Sequence, residues 1–141
     1  MPSIFTKIIN RELPAYIVAE DTQHIAILDI FPVKEGHTLV IPKKEVDYLF
    51  DLPPDDVAAL FRFAQKVARA IESEIPCRRI GVAVVGMEVP HAHVHLIPIN
   101  AVTDLDFTHK LSISEKRMKE IHQAIKNKFN QLYGNSNSME N

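Results

Sequence analysis

His91-Ala92-His93-Val94-His95-Leu96-Ile97 sets three imidazoles at strict alternation inside an apolar run. In an extended strand, successive side chains project to opposite faces. The spacing therefore predicts His91, His93 and His95 on one face and Ala92, Val94 and Leu96 on the other, with the rings about 6.5–7 Å apart along the strand. Imidazole is the side chain best suited to proton transfer, metal ligation or nucleophilic attack near neutral pH. One strand face offering three of them is the first place to look for function.

Working outward, residues 89–99 and 79–85 read as two strands joined by a tight turn at Gly86-Met87-Glu88. Upstream, residues 17–20 and 24–29 read as strands around an Asp21-Thr22 turn. Residues 31–36 read as a loop, and 37–41 as an apolar strand stopped by Pro42. Residues 4–9 fit a short helix or strand, and residues 10–14 a turn. A helix is predicted over 55–75. Val57, Leu60, Phe61, Ala64, Val67, Ala68, Ile71 and Ile75 recur at helical spacing, Pro53 and Pro54 suit the start, and Pro76 ends it. A second helix is predicted over 112–133, with a Ser112/Glu115 capping box, Gly134 as C-cap, and Met118, Ile121, Ile125, Phe129 and Leu132 on its apolar side. Strands interrupted by two helices, with no parallel βαβ repeat, predict an α+β fold with an antiparallel sheet. Residues 1–134 form one expected domain, and 135–141 a polar, frayed tail.

At 141 residues, 46% of them hydrophobic, the chain has the material for one substantial core. A formal net charge of −2 argues against a nucleic-acid or membrane surface built on bulk electrostatics. The single cysteine, Cys77, permits no internal disulfide and suits a reducing compartment. There is neither a signal-peptide pattern nor an apolar run of about 20 residues. A cytoplasmic protein without nucleic-acid or membrane partners is the expectation.

The histidine strip admits three readings. It can be polar surface, but the flanking Val89, Leu96, Ile97 and Ile99 mark a buried strand. There each imidazole needs a hydrogen-bond partner. It can ligate a metal, since His-x-His on a strand supplies two zinc ligands. Yet the chain has no cysteine pair, no His-Glu-x-x-His helix and only Glu88 as a nearby acid. It can do nucleophilic or acid–base chemistry. With no serine or cysteine close in sequence, one histidine would itself be the nucleophile.

The strip resembles the signature of the histidine triad (HIT) family, His-φ-His-φ-His-φ-φ with φ apolar. So does Leu28-Asp29-Ile30-Phe31-Pro32 followed by Gly36-His37-Thr38-Leu39-Val40-Ile41-Pro42-Lys43, and so does the opening Ile4-Phe5-Thr6-Lys7-Ile8-Ile9-Asn10-Arg11-Glu12-Leu13-Pro14. The resemblance spans roughly residues 3 to 99. It implies a sheet of about five antiparallel strands with two main helices, extended across a homodimer, and a purine-nucleotide site. It implies cleavage at the nucleotide α-phosphate through a covalent nucleotidyl-histidine, with His93 as nucleophile. His91 would hold its neighbour, while His95 and His37 would lie on the phosphate side. Asp29 would bind the ribose hydroxyls. Ile30 and Phe31 would line the base pocket, with Ile8 and Leu28 beside them, and the backbone at Glu88 and Val89 would meet phosphate. A nucleoside phosphoramidase is the expected activity. The alternatives are dinucleoside polyphosphate hydrolysis or a regulatory nucleotide-binding module with little turnover.

The chain departs from the family pattern in three places. Ser3, Thr6 and Glu45 stand where many members carry the Cys-x-x-Cys and histidine that bind structural zinc, so no metal and no cofactor is expected. Ala83 occupies the slot nearest a usual asparagine. Met87 replaces a glutamine whose amide would bond phosphate. His24, His109 and His122 match nothing in the pattern and are expected at the surface.

Overall fold

The computed structural model describes residues 2–134, so the expected frayed tail at 135–141 lies outside the described residues. The elements run α1 (Ile4–Ile9), β1 (Ile17–Glu20), β2 (His24–Leu28), β3 (Thr38–Pro42), α2 (Pro54–Glu74), β4 (Arg79–Ala83), β5 (Val94–Ile99) and α3 (Glu115–Tyr133). The sheet has five strands in the order β1-β2-β3-β5-β4, and each neighbouring pair is antiparallel. This is the expected α+β arrangement. Among the described residues no helix is long and apolar enough to cross a membrane.

The two sheet faces have different partners. Val18, Ala26, Leu28, Val40, Val94 and Leu96 face α2 and α3. There α2 buries Leu60, Phe63, Ala64, Val67, Ala70 and Ile71, and α3 buries Met118, Ile121, Ile125 and Phe129. Ile25, Ile27, Leu39 and Ile41 face the other way and pack on Phe5 and Ile8 of α1. Burial on both faces explains why β2 and β3 read as continuous apolar runs, each buried at all five positions. The short α1 covers only part of its face, and the histidines sit beside it.

Several sequence expectations shift. The strand expected from residue 89 begins at Val94, so His91 and His93 precede β5. Pro90 cannot donate to a ladder. Its neighbours bond outside the ladder instead: the His91 amide donates to the nearby Val89 carbonyl at 2.8 Å, and the Ala92 amide reaches the distant Val46 carbonyl at 2.7 Å. With β4 ending at Ala83, the expected tight turn is a ten-residue connection, 84–93. The cap of α3 is Ser114, whose hydroxyl accepts from the Arg117 amide, and not Ser112. On the helices, Phe61 and Leu132 are exposed, and Phe63 takes the buried place that Phe61 was assigned. His24 is buried at 5% exposure, stacked on Phe63 and paired with Asp21 at 3.1 Å, because α2 folds over the end of β2. His122 is half-buried and bonds the Ile17 carbonyl, while His109 is exposed as expected.

Gly36 shows how tightly the turn before β3 is set. Its φ of +88° suits glycine. An added Cβ would stand 2.9 Å from Ile75 and 3.2 Å from Pro98. This turn delivers His37 to the interior at the start of β3.

Candidate active site

A cavity of about 550 Å³ opens beside α1. One end is apolar, lined by Ile8, Leu13, Ile27 and the exposed Phe31, while Phe5 reaches the His93 ring at 5.0 Å. The other end is polar, lined by Asp29, Glu88, His93, His95 and Lys110. A concave apolar slot ending in a few convergent polar groups is the usual form of a small-molecule site. Of the residues singled out from sequence, Ile8, Leu28, Asp29, Ile30, Phe31, Glu88, Val89, His93 and His95 all border it. His91 and His37 do not; both rings are enclosed behind it at no more than 1% exposure.

The histidine rings are ordered by backbone groups whose hydrogen-bonding sense is fixed. An amide N–H only donates and a carbonyl only accepts. The Val33 amide donates to His37 Nδ1 at 3.0 Å, so the neutral His37 ring carries its proton on Nε2. That nitrogen lies 2.9 Å from His95 Nδ1, which must then accept, leaving the His95 proton on Nε2. At the other end, His93 Nδ1 lies 2.7 Å from the His91 carbonyl and donates to it. In the neutral ring, His93 Nε2 therefore carries the lone pair. Among the described residues no enclosed side-chain nitrogen or oxygen lacks a partner. The two unpaired nitrogens, on His93 and His95, therefore open to the cavity. One is a lone pair and the other an N–H donor, on rings whose centroids are 4.9 Å apart. That separation is shorter than alternation along a straight strand predicts, because His93 precedes β5.

The electrostatics keep this order. Burial, then the neighbouring His95, lowers the His37 pKa to about 3. Burial, then His93 and Lys110, lowers the His95 pKa to about 4. Both rings are neutral at pH 7, as the tautomer assignment requires. His91 is also shifted downward, chiefly by burial. The Asp29 carboxyl is pushed up by burial, against the Phe31 amide that donates to its Oδ1 at 2.9 Å. That bond makes Asp29 the stabiliser of the turn into Phe31. Its Oδ2 stands 3.6 Å from His37 Nε2, beyond hydrogen-bond reach.

Asp29, His37 and His95 hold three potential ligand atoms within 4.8 Å. The donor set does not suit a cation. Ligation through His37 Nε2 needs the proton on Nδ1, where the Val33 amide already points its own.

Sequence reasoning missed Phe107 and Lys110. Phe107 sits edge-on to His95 at 4.9 Å between centroids and flanks His37 at 6.3 Å. Lys110 brings a cation to the polar end of the cavity. The segment is held there by the Leu111 amide bonding the Pro32 carbonyl at 2.7 Å, and by Arg117 gripping Glu35 through two bonds of 2.8 and 3.1 Å. An aromatic and a basic residue 12 and 15 positions beyond His95 were the available signal, but no periodicity ties them to the site. Met87, by contrast, is 85% exposed and absent from the cavity wall.

Comparison with known proteins agrees with this architecture. The sequence model of the HIT domain matches residues 10–102. An uncharacterized HIT-like protein of Methanocaldococcus jannaschii is 36% identical over 105 residues, covering 67% of this chain and 77% of its own length. A Saccharomyces cerevisiae protein named adenosine 5'-monophosphoramidase is 35% identical over 96 residues, covering 67% of this chain and 61% of its own. A crystal structure of a hypothetical histidine triad nucleotide-binding protein from Sulfolobus tokodaii superposes with a TM-score of 0.78 at 30% identity, covering 92% of this chain and 95% of that one. The histidine strip, the antiparallel sheet that carries it and these matches lead to one conclusion: the chain belongs to the HIT family.

Proposed function

We propose that this protein hydrolyses a nucleoside 5'-phosphoramidate or a similar adenylyl conjugate, with His93 as the nucleophile. The observation that carries the reading is the His93 Nδ1 bond to the His91 carbonyl, which leaves Nε2 as a lone pair at the polar end of the cavity. A histidine held this way is an activated nucleophile, because its far nitrogen already has an acceptor. In this account the base lies in the apolar slot between Phe31, Ile8 and Ile27; the Leu28 side chain, proposed for this slot from sequence, turns to α2 and α3 instead. The second Asp29 oxygen, Oδ2, receives the ribose hydroxyls. The α-phosphate lies between His93 and His95.

Attack by His93 Nε2 forms an N–P bond and breaks the bond from phosphorus to the leaving nitrogen, which departs as an amine after gaining a proton from water. The hydroxide left by that proton transfer then attacks phosphorus, breaks the N–P bond to His93 and releases the nucleoside monophosphate, returning His93 to its starting form. His95 contributes a neutral N–H donor to a non-bridging phosphate oxygen. Lys110 supplies a charged donor in place of the amide donors that Met87 and Ala83 lack, and backbone N–H groups at Glu88 and Val89 complete the phosphate contacts. The monophosphoramidase name of the yeast relative supports this choice of substrate class.

The test is turnover of adenosine 5'-phosphoramidate and of a dinucleoside polyphosphate by the purified protein. Faster hydrolysis of the phosphoramidate is expected. Faster hydrolysis of the dinucleoside polyphosphate moves the assignment to that class. Nucleotide binding without turnover of either makes the protein a binding module.

A further inference from the structure

The site leaves one side-chain cluster unused. Ser3, Thr6, Glu45 and His91 form a closed hydrogen-bonded set beneath the nucleophile, and Ser3 lies outside the stretch matched by the family. The ring of His91 has a fixed sense. Its Nε2 lies 2.7 Å from the Pro42 carbonyl and must donate, so Nδ1 carries a lone pair. Ser3 Oγ lies 2.7 Å from that Nδ1 and therefore donates its proton to it. The same oxygen accepts from the Thr6 amide at 3.0 Å, capping α1. Glu45 Oε1 then takes the Ser3 amide at 2.8 Å and the Thr6 hydroxyl. The Ser3 hydroxyl has a second, longer acceptor in Thr6 Oγ1 at 3.4 Å, against 2.7 Å to His91 Nδ1, and both Ser3 and His91 are buried.

We propose that Ser3, anchored by Glu45, is a positioning residue: it locks the His91 ring between its hydroxyl and the Pro42 carbonyl, and so fixes the His91 carbonyl on which His93 is oriented. Without the hydroxyl, His91 Nδ1 is left buried and unpaired, a costly arrangement that ring rotation relieves. Rotation releases the Pro42 bond and loosens residues 89–93, which lie outside any strand ladder. The same helix places Phe5 edge-on against both rings, at 5.8 Å from His91 and 5.0 Å from His93. The cap of α1 and the aim of the nucleophile thus share one oxygen atom.

This inference rests on His93 being the nucleophile, and its test separates the two claims. Imidazole ¹⁵N spectra and kinetics with adenosine 5'-phosphoramidate would be recorded for wild type, Ser3→Ala, Ser3→Thr and Glu45→Gln. In wild type, His91 should be protonated on Nε2 and His93 on Nδ1. In Ser3→Ala, both patterns should change and kcat should fall by about 10- to 100-fold, the cost of a small misplacement of a reacting group, with a smaller change in KM. Ser3→Thr, which keeps the hydroxyl, should recover most of the rate. Glu45→Gln should show a milder version of the same loss, and serves if Ser3→Ala does not fold. Unchanged His93 nitrogens in the variants overturn the proposal, as does a loss carried wholly by KM. If wild type turns over no nucleotide substrate, the functional reading fails, while the spectra still decide whether Ser3 sets the rings.

Discussion

The two faces of this sheet are held by different forces. Beneath α2 and α3 the contacts are apolar, with Leu60, Val67, Ala70 and Ile71 sealed against Val40, Val94 and Leu96. On the opposite face a few aliphatic side chains give way to imidazoles linked to one another and to the backbone. Hydrophobic contact is non-directional and tolerant of small shifts. The imidazole face is directional, because each ring must present one nitrogen as donor and the other as acceptor. Stability therefore resides chiefly on the first face and chemistry on the second, and substitutions should separate them.

The sharpest separation is expected at His93. His93→Gly should lower phosphoramidate turnover at least about 1,000-fold, more than about 4 kcal/mol in the barrier. Its thermal transition should fall by less than that of a core truncation such as Ile71→Ala, since one side of the ring meets the cavity. A comparable fall in melting temperature would break the division. On the other face, Ile71→Ala removes a fully buried side chain and should cost about 2–5 kcal/mol in denaturant unfolding, while turnover per folded molecule is retained.

Acid should reach the imidazole face first. His95 titrates at about 4 in the folded chain and about 6.5 when unfolded, so between these values the unfolded chain binds more protons. Stability is then full above about pH 6.5 and is lost as pH falls toward 4, by roughly 3 kcal/mol from this ring. His37, lowered to about 3, extends the loss further. Unfolding free energies from pH 7 to 4 should show this slope, and His95→Asn should flatten it. A pH-independent His95→Asn difference from wild type would contradict the neutral-ring account. The smallest effect is expected at the exposed Lys110: Lys110→Ala should raise KM about tenfold, near 1.4 kcal/mol, and leave folding unchanged.

The apolar face was the more legible in sequence. Residues 57–71 repeat at helical spacing, and β2 and β3 read as apolar runs, so α2 and the central strands emerge close to their observed limits. The errors there came from choosing between neighbours, such as Phe61 and Phe63 or Ser112 and Ser114, where about half a turn of helix or two residues of chain decide. The imidazole face was legible only as a motif. Alternation placed His91, His93 and His95 together, but residues 91–93 are buried by packing rather than by strand pairing, with Val89 half-buried and Pro90 exposed before them. His91 consequently sits behind the cavity. Burial of His24 depends on Phe63, nearly forty residues away in sequence, and Lys110 arrives through the Leu111–Pro32 bond. Long-range contacts of that kind leave no local pattern to read.

The central claim is that His93 alone presents a nucleophilic nitrogen. Rapid quenching of the protein with adenosine 5'-phosphoramidate, followed by peptide mass spectrometry, tests it directly. The account predicts an adenylyl group on His93 that forms before product is released and is absent in His93→Gly. Turnover with the adduct on His95, or with no adduct on any histidine, would contradict it.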